Sequence, residues 1–420
     1  MNRIWDFGAF GENDAFLDDT GVSVRYDELE ALQNELEGIG SGELTMMLCE
    51  NSLGALSGYA ALLNSGHPML MVSAALPEDM RRQIMNTYRP GQVFAPRALM
   101  GDYSHMRELR TVDNYVLLTT SYAEPYPVNP ALGQMLTTSG STGSVKFVRQ
   151  SWDNIRCNAR IVADHLGMTA AERTITALPM HYTYGLSIIC ASLTVGAEMI
   201  VTGMGVMDEE FWDLFENEHV TAFHSVSNTY DMLCRMDIFS EDFPDLRLMT
   251  QAGSKLDREL HRVLAQYARD TGKRFMAMYG QSEATAAISY LPAEKALDKI
   301  GSVGVAVPGG EIKLIDADGN PVEGAHVPGE LIYRGKNVAL GYATHGEDLI
   351  RGDDWHGELN TGDVAERDED GFLYITGRLK RFIKMAGHRI SLDEIDERVM
   401  DDIHIRCVSS GLDYHLVIFV

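Results

Sequence analysis

The chain is poor in cysteine, in positive charge and in uninterrupted apolar sequence, and each shortage argues against a class of function. Its five cysteines, Cys49, Cys157, Cys190, Cys234 and Cys407, lie far apart with no CxxC pair. That spacing speaks against a zinc cage or a disulfide framework and fits thiols kept reduced, as in a cytosol. Lys and Arg number 35 against 61 Asp and Glu, a formal net charge of −26. Repulsion of that sign disfavours nucleic acids and anionic membrane surfaces as partners. A small anionic ligand would need Mg²⁺ and a few local donors to offset the field. The most apolar window, Gly185 to Val201, is interrupted by Gly196 and Glu198, so it falls short of the ~18 apolar residues of a membrane span. A buried helix followed by a strand is expected there. The opening MNRIWDFGAFGENDAF is acidic and glycine-broken, unlike a basic-then-apolar export signal, and a cytoplasmic location is expected. There is no internal repeat and no low-complexity tract.

With 420 residues, 45% hydrophobic and 23% charged, the composition is globular and the length suits two or three structural units. From Leu44 the sequence alternates between short continuous apolar runs and stretches of helical period. A strand is expected at LTMMLCE, a helix over Leu53 to Leu63, a strand over Met69 to Val72, a helix over Pro77 to Thr87 and a strand over Val93 to Ala95. A second such stretch, Trp152 to Tyr279, contains helices at Trp152 to His165 and Tyr184 to Thr194, and strands at Thr174 to Leu178 and Glu198 to Val201. Runs of this kind belong to strands covered on both faces, which predicts an α/β fold of two packed subdomains. After Gly301 the pattern changes to strands with tight turns, EIKLID, GELIYRG and FLYITG, which predicts a small β subdomain. A short C-terminal α+β piece follows, with a helix at SLDEIDERV behind Ser391 and a last strand from His415 to Val420. The expected domains are 1–376 and 377–420.

Three stretches carry chemistry. TTSGSTGSVK, Thr137 to Lys146, follows a strand and offers glycines, hydroxyls and a terminal lysine, suited to closing backbone N–H groups around phosphate. It is not a Walker A loop, because Gly140 and Gly143 are too close and Val145 precedes Lys146. MYGQSEAT, Met278 to Thr285, follows an expected buried strand from Phe275 to Met278 and places a tyrosine, a hydroxyl and a carboxylate within five residues, enough to stack on a base, bond a phosphate and hold Mg²⁺. In LNTGDVAERDEDGFLYITGR, Asp363 follows a glycine and Arg378 ends a strand. A fixed carboxylate there suits ribose hydroxyls.

Together with LPMHYTYGL, LMTQAGSKL, GSVGVAVPG, GELIYRG and GRLKRFIKMAGHRIS, these stretches resemble, in order and approximate spacing, the adenylate-forming superfamily of acyl- and aryl-CoA synthetases, peptide-synthetase adenylation domains and luciferases. The resemblance runs from about Leu44 to Val420. It implies ATP and Mg as cofactors, with a carboxylic acid activated to acyl-AMP and passed to CoA or to an acyl carrier protein. Thr138, Ser139, Gly140, Ser141, Thr142 and Gly143 would wrap the β- and γ-phosphates, with Lys146 closing the loop. Ala252, Gly253, Ser254, Tyr279, Gly280, Gln281 and Ser282 would bind the nucleotide, Tyr279 lying against adenine and Ser282 approaching the phosphate. Asp363 would hold the ribose, Arg378 the ribose or phosphate, and Glu283 the metal. The acid pocket would be formed by His181, Tyr182, Tyr184, Gly185, Ser225 and Asn228, with His224 also near. No aspartate for an amino-acid substrate stands there. Thr138, Glu283 and Lys384 are the expected catalytic residues, Lys384 serving the second half-reaction, and Lys380 occupies the hinge.

The sequence departs from the family pattern at Val145 and Ser227, where proline is usual, and at Phe147, where glycine is usual. The family's C-terminal PxxxxGK-like lysine has no counterpart, since Gly272-Lys273 and Gly335-Lys336 stand elsewhere. A longer enzyme of which this chain is a part, or a natural short form, accounts for that. The rival readings are an adenylate-binding module with little catalysis and an unrelated nucleotide enzyme such as a kinase, the latter disfavoured by its missing signatures.

Overall fold

In the computed structural model, residues 3–40, 42–122, 124–137, 146–385, 388–403, 407–412 and 415–420 are described. Strand Thr45–Cys49 shows why the fold is layered. Met47 and Cys49 face one core, while Met46 and Leu48 face another, the period of two that puts successive side chains on opposite faces. Among the described residues this strand belongs to an eight-stranded sheet whose order is 341–343, 147–151, 132–137, 69–73, 45–49, 92–96, 115–119 and 107–112. Its centre is parallel and both edges are antiparallel. A nine-stranded sheet has the order 305–306, 286–290, 274–281, 248–251, 222–225, 173–175, 198–201, 14–18 and 23–25.

The two sheets share a core that holds helices Leu53–Asn64 and Thr183–Val195. Every residue of Leu53–Asn64 is buried, as expected of a helix that is apolar all round. Ser52 caps its start through Ala55 N–H, and Gly196, at φ +74°, ends Thr183–Val195. Helix Glu78–Tyr88 covers the outer face of the first sheet. Helices Glu209–Asn217, Ser227–Arg235 and Arg258–Asp270 cover the outer face of the second. Each fully buried Leu, Met or Phe in these layers contributes ~1.5–3 kcal/mol relative to exposure.

The expected α/β architecture with a small β subdomain is present. Strands Glu311–Ile315, Gly329–Arg334, Glu358–Arg367 and Leu373–Arg378 form an antiparallel four-stranded sheet. Helix Leu392–Ile403 and hairpin Val408–Leu412 with His415–Phe419 form the C-terminal α+β piece.

Four details differ from the expectation. Strand Asp14–Asp18 lies ahead of Leu44 and joins the second sheet, parallel to Glu198–Val201. Strand Gly341–Ala343 leaves the β subdomain to pair with Phe147–Arg149 of the first sheet. The strand expected to run to Leu178 stops at Ile175, where Ala177 N–H turns back to the Ile175 carbonyl ahead of Pro179. The strand expected to end at Met278 continues to Gln281, parallel to Leu248–Gln251 in its first half and antiparallel to Ala286–Tyr290 in its second.

Candidate active site

That change of partner puts Tyr279, Gly280 and Gln281 at the end of the parallel strands, where open α/β sheets bind ligands. The register shifts between Tyr279 and Gly280. A Cβ on Gly280 would lie 1.6 Å from the Ala286 carbonyl oxygen, so this bulge needs glycine. A cleft of about 540 Å³ opens beside it, lined among others by Gly253, Ser254, Tyr279, Gln281, Asp363 and Arg378.

Asp363 is the hub of this cleft. It is 3% exposed and lies directly across the antiparallel ladder from Arg378. Its Oδ2 accepts from the Tyr279 hydroxyl at 2.6 Å and from Gln281 Nε2 at 2.8 Å. Its Oδ1 meets Arg378 Nε at 3.1 Å. Burial, then the Asp363 charge, raises the Tyr279 phenol well above its ordinary range, so Tyr279 remains a donor. At the far wall Arg381 and Asp396 form an ion pair of 2.6 Å.

Gly253 adopts φ +86°, and a Cβ there would lie 2.0 Å from the Tyr182 hydroxyl. The backbone thus approaches the cleft where only glycine fits. Ala252 is buried beside it. Ser254 Oγ meets Ser227 Oγ at 2.5 Å. Ser282 Oγ meets Thr183 Oγ1 at 2.5 Å, and the Ser282 carbonyl accepts from Gln150 Nε2 at 2.9 Å. Behind Gln150 a buried chain continues through Gln134 to Tyr59, which fixes the Ser282 turn to the first sheet.

Glu283 accepts from the Tyr342 hydroxyl at Oε1, 2.7 Å away. Its other oxygen has no partner among the described residues. Lys146 Nζ stands 3.6 Å from the centroid of the Tyr342 ring. Among the described residues no group of three or more His, Cys, Asp or Glu side chains is arranged to hold a metal. One available hard carboxylate oxygen fits Mg²⁺, which keeps several waters and binds chiefly through phosphates.

Of the residues expected around the acid, Tyr182 abuts Gly253, and Thr183, next to it in the chain, meets Ser282. His181 is half-buried with Nδ1 unpartnered among the described residues, and burial lowers its pKa. The Tyr184 hydroxyl and His224 Nδ1 both meet Thr250 Oγ1, at 2.5 and 2.6 Å. Burial lowers His224 to about 3, so it is neutral at pH 7. Gly185, Ser225 and Ser227 are buried, while Asn228 is exposed on the first turn of helix Ser227–Arg235; none of the residues expected around the acid lines the cleft, and Gly185 and His224 line a separate small cavity. Thr138, Ser139, Gly140, Ser141, Thr142 and Gly143 lie outside the described residues. Lys380 follows the strand Leu373–Arg378 and Lys384 is in strand Phe382–Met385.

Sequence reasoning did not find Tyr342, Gln134, Gln150, Arg381 or Asp396. Each acts through a partner distant in the chain or on another element, and local pattern gives no signal for that. Gly301, Ser302 and Val303, which line the cleft, were signalled by the GSVGVAVPG motif.

Comparison with known proteins places the fold and the family. The AMP-binding enzyme model matches residues 13–343, beginning ahead of Leu44. A long-chain-fatty-acid–CoA ligase of Yersinia pestis is 29% identical over 299 residues, 69% of this chain and 51% of that protein. This chain therefore spans about half the length of that relative. A 3-hydroxybenzoate–CoA ligase of an Aromatoleum species is 25% identical over 402 residues, 89% of this chain and 75% of the relative. In structure, the o-succinylbenzoate CoA synthetase (MenE) of Bacillus subtilis in complex with its acyl-adenylate intermediate superposes with a TM-score of 0.79 at 22% identity, over 97% of this chain and 84% of that one. The chain belongs to the AMP-binding enzyme family.

Proposed function

We propose that the chain activates a carboxylic acid with ATP and Mg²⁺, releasing pyrophosphate, and passes the acyl group to a thiol. The carrying observation is the buried Asp363 carboxylate, held by Tyr279, Gln281 and Arg378 in the cleft. A carboxylate fixed in this way is suited to accept ribose hydroxyls. Solved relatives carry matching ligands: MenE has been seen with ATP and magnesium, and MatB of Rhodopseudomonas palustris with ATP.

In the first step a carboxylate oxygen of the acid attacks the α-phosphorus, a P–O bond forms, and the bond to pyrophosphate breaks. Both reactants are anions, so donors set where charge builds in the in-line transition state lower the barrier. The Tyr279 ring supports adenine, and Asp363 and Arg378 hold ribose and phosphate. Lys146 and the loop from Thr138 to Gly143 meet the β- and γ-phosphates, while Ser282 meets the α-phosphate side. Glu283 would hold Mg²⁺, which when bound would supply charge to neutralise the phosphates. His181, Tyr182, Tyr184, Gly185 and Ser225 border the acid and exclude water from the acyl-AMP. In the second step the thiol sulfur attacks the acyl carbonyl, a thioester forms, and AMP leaves with the phosphate oxygen.

The names of the relatives favour CoA as the acceptor, with a carrier-protein phosphopantetheine as the alternative thiol. A division at 376/377, with Lys380 as hinge and Lys384 acting on the thiol step, belongs to this reading, as does a cytoplasmic setting. Acid-dependent exchange of labelled pyrophosphate into ATP tests it. Exchange that appears only with a suitable acid supports it, and transfer of the γ-phosphate with formation of ADP overturns it.

A further inference from the structure

Tyr342 stands where three segments of the chain meet. It is the middle residue of strand Gly341–Ala343 and pairs with Val148, two residues beyond Lys146. Its hydroxyl donates to Glu283 Oε1 at 2.7 Å, and its ring lies beneath the Lys146 ammonium at 3.6 Å. The Trp355 ring packs edge-on against it, with centroids 4.9 Å apart. The backbone here is tied down as well. The Tyr342 carbonyl accepts from Arg149 Nε at 3.1 Å. The remaining Arg149 donors go to the carbonyls of Leu340, Arg351 and Gly352 and to Asp354. Arg149 is fully buried, so the segment that carries Tyr342 has little freedom to drift.

Two consequences follow from elementary chemistry. A carboxylate with one oxygen committed to a phenol is held in one orientation, its second oxygen left for another partner. This is how groups behind a metal ligand commonly fix it. A cation over an aromatic face is held by the ring quadrupole. The same ring therefore offers the Lys146 ammonium a seat of its own, and no ion pair joins Lys146 to Glu283 among the described residues. Burial and the Glu283 charge raise the Tyr342 phenol above its ordinary range, so it stays a donor throughout neutral pH.

We propose that Tyr342 is a positioning residue that holds Glu283 ready for Mg²⁺ with its hydroxyl and keeps Lys146 beside the triphosphate with its ring. The inference rests on the reading of Glu283 as the metal ligand. The hydroxyl and the ring have separable roles, and Tyr342→Phe and Tyr342→Leu distinguish them. Calorimetry would measure ATP affinity with Mg²⁺ and with a chelator, and AMP affinity alongside as a control for an intact cleft. Acetylation of Lys146 by an amine-directed reagent would be followed by peptide mass spectrometry.

In the wild type, ATP binds more tightly with Mg²⁺ than without. In Tyr342→Phe that advantage falls by roughly tenfold, the scale of groups that orient a metal ligand, while AMP affinity and the Lys146 acetylation rate stay as in the wild type. In Tyr342→Leu the advantage falls similarly and Lys146 reacts faster. A full Mg²⁺ advantage in Tyr342→Phe overturns the positioning role while leaving the Glu283 assignment intact. A wild type without any Mg²⁺ advantage removes the Glu283 assignment and the inference together.

Discussion

Tyr279 and Asp363, 84 positions apart in the chain, share a 2.6 Å hydrogen bond in which the phenol donates to Oδ2. Gln281 occupies the same oxygen at 2.8 Å, and Arg378 meets the other at 3.1 Å. The Arg378 side chain is 68% exposed and that of Asp363 is 4%. Arg378 is therefore the partner able to yield, and Oδ1 is the oxygen offered to a ribose. Replacing Asp363 by Ala removes two charge-assisted bonds to the nucleotide and should weaken AMP by roughly 2–4 kcal/mol. Tyr279→Phe keeps the ring and should cost under about 1 kcal/mol. Calorimetry with AMP checks both, and equal losses would show that Tyr279 acts through its hydroxyl rather than its ring.

Gly253 combines φ +86° with a Tyr182 hydroxyl 2.0 Å from where a Cβ would stand. Gly253→Ala should force Tyr182 aside and destabilise the protein by about 1–3 kcal/mol. Denaturant unfolding measures the loss, and nucleotide binding by the folded fraction should weaken as well. A variant as stable as the wild type would show that the backbone turns elsewhere.

Glu283→Gln should weaken MgATP while leaving AMP bound nearly as before, because AMP does not need the metal. Parallel titrations of the two ligands decide this. Equal loss of both would make Glu283 a structural residue.

Burial lowers His165 to about 4, His224 to about 3 and His261 to about 4. Below the unfolded pKa of about 6.5 the unfolded chain takes up protons that these residues refuse when folded. Their contribution to stability is complete above that pH and is lost as pH falls towards 4, at up to about 1.4 kcal/mol per pH unit for each group. Denaturant midpoints of His224→Asn should therefore fall less between pH 7 and 5 than those of the wild type. An unchanged difference would mean that His224 takes up its proton when folded.

The parts of this fold that were legible in sequence are those set by local covering. Thr45–Cys49, Met69–Ser73 and Glu198–Val201 are buried on both faces and read as continuous apolar runs, and helix Leu53–Asn64 reads as one between two of them. Strand Asp14–Asp18 was not legible, because its pairing with Glu198–Val201 depends on closing a loop of nearly the whole first subdomain. The same holds for Tyr342. Its partner Glu283 is 59 residues away, and its three-residue strand is fixed by Arg149 rather than by propensity. In the site, Asp363, Tyr279, Gln281, Gly253 and Arg378 were found through motifs that carry their own chemistry, and the structure brings them to one cleft. The positions that orient them carry no such local mark.

Mass spectrometry of the chain incubated with ATP, Mg²⁺ and a broad pool of carboxylic acids tests the central claim most directly. A retained species with the mass of an acid joined to AMP less one water is expected, with equimolar pyrophosphate in solution, and loss of that species in Asp363→Ala. ATP converted to ADP, or an adenylate that forms as readily in Asp363→Ala, would contradict it.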